Sequence, residues 1–301
     1  MNDWRDEPLR IAEHGTAPNG TAVWFITGGS SGFGLATAKA ALAAGFRVAA
    51  TARSVASLDA LGDSADLLKV AMDLHDPASI VDAVDAAEQR FGRIDVLFNN
   101  AGTATIGAIE EVGDALLRDQ LETNLFGPLA VVRAVLPGMR ARRDGHLLQM
   151  SSMGGRAAFP GLGAYHASKF ALEGASIALA QEVAPHGIRL TLIEPGDFRT
   201  PVLAANRTTA APATPAYADS VGRMREAIAQ LDGSQPGDPD KAAAAIIAVT
   251  EVAEPPLQLA LGPDCYHRLH EQLEGQIAAL EKWSSLSLGT DLDPVDADAA
   301  S

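Results

Sequence analysis

Seven nearly continuous apolar runs punctuate the chain: Thr21–Thr27, Phe46–Ala52, Leu67–Met72, Ile94–Phe98, His146–Met150, Ile188–Ile193 and Leu257–Leu261. A strand with one wet face alternates apolar and polar residues. A run without that alternation suits a strand covered on both faces. Between the runs lie Ala-rich stretches of helical pattern, at Gly34–Ala44, Ala78–Phe91, Asp114–Arg142, Ala164–Ala184 and Asp240–Val252. Strand, helix, strand repeated along the chain predicts an α/β fold with a doubly wound parallel sheet of about seven strands, in a single domain over 21–262.

The length, 301 residues, suits one such domain, and 47% hydrophobic residues can fill its core. Acids outnumber bases 38 to 23, a net charge of -15. Nucleic acids and anionic membranes require a basic surface, so neither is expected as a partner. One cysteine, Cys265, cannot form an internal disulfide. No run approaches the roughly 20 apolar residues of a membrane span. The acidic start lacks the pattern of a secretory signal. A cytoplasmic protein is therefore expected. Residues 1–20 read as a flexible arm, 263–285 as a helix and the acidic 286–301 as a disordered tail. The proline-punctuated segment 200–239, with a helical piece at Tyr217–Leu231, reads as a substrate loop or lid.

The first strand runs into Thr27-Gly28-Gly29-Ser30-Ser31-Gly32-Phe33-Gly34, and a helix follows. Glycines let a backbone approach a pyrophosphate, and a helix N-terminus offers free N–H groups and a positive dipole end. The second strand ends Ala52-Arg53-Ser54. An NAD site usually carries an acid there for the ribose hydroxyl. An Arg instead can pair bidentately with a 2′-phosphate, which favours NADP(H). Further along, Tyr165-His166-Ala167-Ser168-Lys169 opens a helix. Positions i and i+4 share a helix face, so the Lys169 ammonium is expected near the Tyr165 hydroxyl, where it would lower the phenol pKa.

Ser151-Ser152 ends the fifth strand, Asn124 lies in a helix, and Asn99-Asn100-Ala101-Gly102 ends the fourth strand. Together with the glycine turn, these motifs resemble the single-domain branch of the short-chain dehydrogenase/reductase family, over about Thr21 to Leu261. The wording around Val23–Thr27, Arg90–Asp95 and Phe170–Gly174 looks most like its 17β-hydroxysteroid-dehydrogenase-like and retinol-dehydrogenase-like group. The resemblance implies a Rossmann-type fold and a set of roles. Tyr165 would be the general acid/base. Lys169 would hold the nicotinamide ribose and lower the Tyr165 pKa. Ser152, rather than Ser151, would orient the substrate oxygen, and Asn124 would position a relay water. Gly28, Ser30, Ser31, Gly32, Phe33 and Gly34 would line the pyrophosphate, and Arg53 and Ser54 the 2′-phosphate. Asp73 and Leu74 would meet the adenine, with Asn99, Ala101 and Gly102 on the adenosine side. Pro195, Gly196, Phe198 and Thr200 would hold the carboxamide.

The expected activity is NADP(H)-dependent interconversion of a secondary alcohol and ketone, or of an aldehyde and its alcohol. Segments Thr103–Ile109, Met153–Gly163 and Phe198–Leu231 should line the pocket. They bring Ile106, Met153, Phe159, Leu162, Phe198 and Met224, which suit an apolar carbonyl substrate. Two other readings fit the fold class: an epimerase or dehydratase, and a redox-sensing NADP-binding regulator without turnover. The complete Asn124, Ser152, Tyr165, Lys169 set argues against the regulator. Cys265–His270 lacks partners at ligand spacing, so no metal is expected. The family often pairs through the helices at Asp114–Arg142 and Ala164–Ala184, so a homodimer or homotetramer is possible.

Overall fold

All seven apolar runs form strands. The computed structural model describes residues 22–200, 207–210 and 213–291. In chain order the elements are β1 (Val23–Thr27), α1 (Gly32–Ala43), β2 (Arg47–Ala52), β3 (Leu67–Ala71), α2 (Pro77–Phe91), β4 (Val96–Asn99), β5 (Ala104–Ile106), α3 (Asp114–Leu121), α4 (Gly127–Arg142), β6 (Gly145–Met150), α5 (Gly163–Val183), β7 (Ile188–Pro195), β8 (Arg207–Thr209), α6 (Arg223–Leu231), α7 (Pro239–Thr250), β9 (Gln258–Leu261), α8 (Pro263–Lys282) and α9 (Ser284–Leu288).

The main sheet has seven strands in the order β3-β2-β1-β4-β6-β7-β9, and every pairing is parallel. Alternate residues of one strand serve two cores. Val23 and Phe25 of β1 pack with α2 and α4, through residues such as Val84 and Val135. Trp24 and Ile26 pack with α1 and α7, through Ala38 and Ile246. This two-sided burial is why the strands read as unbroken apolar runs. The order reverses direction between β1 and β4, and that crevice at the carboxyl ends is where such sheets bind ligands. Local signals delimit the helices. Asp76 caps α2 by accepting from the Ala78 N–H at 2.9 Å, Pro77 opens it, and Gly92 closes it in the left-handed region.

Three expectations change. The single helix expected at Asp114–Arg142 is α3 and α4 joined by a wide π turn, Glu122–Phe126. Pro128 has no N–H to bond four residues back, and the ladder widens just before it. Within 200–239, the described residues Arg207–Thr209 form β8, which pairs in parallel with β5 and matches Ile106 with Thr209. Three-residue strands carry too little pattern to be read from sequence. At the C-terminus helical structure passes the expected boundary at 285, because α9 runs to Leu288. The arm at 1–20 and most of the acidic tail lie outside the described residues. Among the described residues no helix is long and apolar enough to cross a membrane.

Candidate active site

The carboxyl ends of β1, β2, β4, β6 and β7 open into one cavity of about 1030 Å³, at the upper end for small-molecule sites. The glycine turn forms one wall. Gly28 adopts φ +67, and Ser30, Ser31, Gly32 and Phe33 line the space. No side chain caps α1, and its first turn holds no acid. Its N–H groups and positive dipole end are thus left for an anion. Gly34 does not line the cavity. A Cβ there would overlap the Gly28 carbonyl oxygen, so this glycine lets α1 close onto the turn. Arg53 lines the cavity at the end of β2, is exposed, and makes no ion pair among the described residues. Ser54 lies off the cavity, before a 3-10 turn at Val55–Leu61. Asp73 and Leu74 both line it, and Asp73 Oδ1 accepts from the His75 N–H at 3.0 Å.

Ala101 and Gly102 line the cavity, but Asn99 does not. Its Nδ2 donates to Pro128 O at 3.0 Å, behind the sheet, so Asn99 ties β4 to α4. Asn100 takes the facing position instead. Its Nδ2 donates to Thr27 O at 3.0 Å and Gly28 O at 3.2 Å, while the Thr27 hydroxyl accepts from the N–H groups of Asn100 and Ala101, each at 3.0 Å. These bonds stitch the ends of β1 and β4 together. Strand alternation reverses the roles of two adjacent asparagines, which a register uncertain by one residue cannot resolve.

Ser152, Tyr165 and Lys169 face the same cavity. Burial pushes the Tyr165 phenol above its ordinary pKa, and a hydrogen bond from Ser152 opposes that. Lys169 is buried and donates to Met150 O at 2.6 Å, with Nζ 6.0 Å from the Tyr165 ring centre. Burial lowers its pKa to about 8, against the pull of Glu173. In this structure burial sets the direction of the Tyr165 shift, and Lys169 does not figure among the groups that move it. Ser151 also lines the cavity but is more deeply buried, and its hydroxyl, close against Gly155, finds no partner among the described residues. Asn124 is fully buried in the π turn and does not line the cavity. It brackets Thr103, accepting from its N–H at 2.9 Å and donating to its O at 3.0 Å, and it also donates to Ser168 Oγ at 3.0 Å.

Pro195, Gly196, Phe198 and Thr200 line the opposite wall. The Phe198 ring lies 5.1 Å from that of Phe33, so the two walls touch. Three residues missed in the sequence support these walls. Asp264, in the first turn of α8, accepts from the Asp197 N–H at 2.7 Å. A side chain at Gly196 would collide with it. His166 accepts at Nε2 from the Phe159 N–H at 2.9 Å. Its proton is therefore on Nδ1, which donates to Gly154 O at 2.8 Å. One neutral ring, kept so by burial, thus fixes both ends of the loop beside Ser152. Glu111 accepts from the Ala108 and Thr214 N–H groups and from Arg225 at 2.7 Å, which ties the 213–231 stretch to the loop after β5. These contacts and an Arg225 ion pair hold its carboxyl below the usual range. Only His166, inside the Tyr-x-x-x-Lys motif, carried a local signal. Ile106, Met153, Phe159, Leu162, Phe198 and Met224 all line the cavity. Among the described residues no cluster could hold a metal.

The family model for short chain dehydrogenases matches residues 22–211. The oxidoreductase BOA17 of Botryotinia fuckeliana is 41% identical, over 90% of this chain and 99% of its own. A crystal structure of a short-chain dehydrogenase from Streptomyces avermitilis is 42% identical with a TM-score of 0.85, covering 91% of this chain and 100% of that one. A metagenomic short-chain oxidoreductase in complex with NADP is 26% identical with a TM-score of 0.62, covering 80% and 96%. The 3-ketoacyl-(acyl-carrier-protein) reductase of Brucella melitensis complexed with NADH is also 26% identical, with a TM-score of 0.67 and the same coverage of 80% and 96%. With the family model spanning more than half the sequence and a full-length relative matching both in sequence and in fold, this chain belongs to the short-chain dehydrogenase/reductase family.

Proposed function

We propose that the protein is an NADP(H)-dependent oxidoreductase that interconverts a secondary alcohol and a ketone, or an aldehyde and its alcohol, on a largely apolar substrate. The observation that carries this reading is one cavity lined together by the glycine turn, Ser152, Tyr165 and the apolar side chains of Ile106, Met153, Phe159, Leu162 and Met224. The residues fit the cofactor: the uncapped start of α1 suits a pyrophosphate, and Arg53, unpaired among the described residues, suits a 2′-phosphate. Solved relatives holding NADP and NADH support a nicotinamide cofactor, and Arg53 favours the phosphorylated form.

Gly28 to Phe33 and Arg53 would hold the phosphates, Asp73 and Leu74 the adenine, and Pro195 to Thr200 the nicotinamide. The bound nicotinamide supplies or accepts the hydride at the carbinol carbon. Ser152 orients the substrate oxygen toward Tyr165. The phenol, held protonated by burial, donates its proton as the carbonyl becomes an alcohol. The upward shift favours reduction near neutral pH. Lys169, with a pKa near 8, keeps a positive charge beside the ribose and phenol positions below that pH. Asn124 acts through Thr103 and Ser168 to hold the floor under Lys169. The test follows NADPH and NADH oxidation with a panel of apolar ketones and aldehydes, with hydrophilic sugars as controls. Turnover of the apolar compounds with NADPH is expected. Turnover confined to sugars, or a preference for NADH, would overturn the reading.

A further inference from the structure

Behind the active site, α5 presents Tyr165, Lys169 and Glu173 at intervals of four residues, hence on one face. Glu173 meets Glu194 of β7, and both are buried, Glu173 4% and Glu194 0% exposed. Each carboxyl has one oxygen spoken for. Glu173 Oε2 accepts from Gln258 Nε2 at 2.8 Å, and Glu194 Oε2 accepts from Arg156 at 3.3 Å. The other oxygens, Oε1 of each, find no donor among the described residues. Glu173 acts on Glu194 both through its charge and as a side-chain hydrogen-bond partner, each raising the Glu194 pKa. Two acceptors cannot bond without a proton between them, and two bare carboxylates there would repel in a poorly solvated seam.

A second cavity, about 330 Å³, opens beside the pair and is lined by Arg156, Glu173 and Gln258. It approaches from the α8 side, away from the substrate cavity. The charged and titratable groups around the pair are Arg156 after the loop at Met153–Gly155, Lys169 on α5, and Asp264 and Cys265 on α8. Cys265 donates to Glu194 O at 3.0 Å, and its thiol is pushed up to about 12, so it stays neutral.

We propose that Glu173 and Glu194 share one proton between their Oε1 atoms, exchange it through the small cavity, and act as a positioning pair that sets the charge on Lys169. The influence on Lys169 rests on the oxidoreductase reading; the shared proton does not. Burial and the charge of Glu173 raise the Glu194 pKa to about 7. Below that pH the pair carries one negative charge. Above it the pair carries two and holds the Lys169 proton more firmly. No proton is consumed in turnover by this pair; it changes only the field at Lys169.

The experiment is carboxyl NMR of the full-length protein labelled at Glu Cδ, without cofactor, titrated across pH 4 to 9. One coupled titration near neutral pH is expected. Glu194→Gln should abolish it, because the amide donates permanently to Glu173. Glu173→Gln should abolish it too, which covers the case where one variant folds poorly. Ordinary titration of every glutamate below about pH 5, or a neutral titration that survives both substitutions, would overturn the shared proton. In the turnover assay, Glu173→Gln should move the alkaline limb of kcat/KM to lower pH, while a purely structural role would lower kcat with the limb unmoved. Absence of turnover in wild type would sink the functional reading and leave the NMR result standing.

Discussion

The Tyr165 phenol is the group whose removal changes least besides the chemistry. Tyr165→Phe deletes one oxygen from a side chain whose ring packs by His166, with centroids 5.8 Å apart. Positioned proton transfer typically contributes about 10²–10⁴-fold. Turnover should therefore fall at least about a hundredfold while NADPH binding, read by fluorescence, stays near wild type. A variant retaining a tenth of wild-type kcat would remove Tyr165 from the acid/base role. Arg53 is the second decisive residue. It is exposed and makes no ion pair among the described residues, so Arg53→Ala breaks no described salt bridge. A charge-assisted hydrogen bond is worth roughly 1.5–3 kcal/mol, about ten- to a hundredfold in Kd. NADPH should weaken by that factor and NADH hardly at all, measured by isothermal titration. Equal loss of both would mean that Arg53 does not read the phosphate.

Elements with many residues of one pattern were legible in the sequence; those built on a few long-range contacts were not. The main-sheet strands and the helix carrying Tyr165 and Lys169 follow from runs and spacing, because both sheet faces are covered and i, i+4 pairing is local. The π turn around Asn124, the β5–β8 pairing and the tie at Glu111 depend on partners up to 114 residues away. Nothing in the local sequence announces them. The same limit applies to Asp264, whose partner Asp197 lies on a separate loop. The tie makes its own prediction. Glu111 gathers three donated hydrogen bonds, from Ala108, Thr214 and Arg225, and the neighbouring Glu110 accepts from the Tyr217 hydroxyl at 2.6 Å. Glu111→Ala frees the Arg225 and Thr214 donors and should loosen the 213–231 stretch. Limited proteolysis should then cut within that stretch several-fold faster, and KM for apolar substrates should rise more than kcat falls. Unchanged cleavage would show that Glu111 does not hold this stretch.

Across the whole molecule, buried titratable groups in the sheet tie stability to pH, and two of them work in opposite directions. His146 of β6 is fully buried. The Thr191 hydroxyl donates to Pro256 O at 2.9 Å, so His146 Nε2 must donate to Thr191 Oγ1 at 3.0 Å, and the ring is neutral. Burial, aided by Arg189, lowers its pKa from 6.5 to about 3. A depressed folded-state pKa means that the unfolded chain takes up the proton first. The stabilisation is present above 6.5 and is lost as pH falls toward 3. Glu194 runs the other way: its pKa rises from 4.5 to about 7. Its contribution is present below 4.5 and is lost as pH rises through 7. Between 4.5 and 6.5 the two slopes therefore cancel in the native protein. Urea unfolding of three proteins across that window separates them. His146→Leu removes the acid-sensitive slope, so stability should fall as pH rises, by about 1.4 kcal/mol per pH unit relative to wild type. Glu194→Gln removes the opposite slope, so stability should instead rise with pH by a similar amount. Parallel curves for all three proteins would mean that neither group is buried in its less favoured charge state, and the assignment of both pKa shifts to desolvation would fall with it.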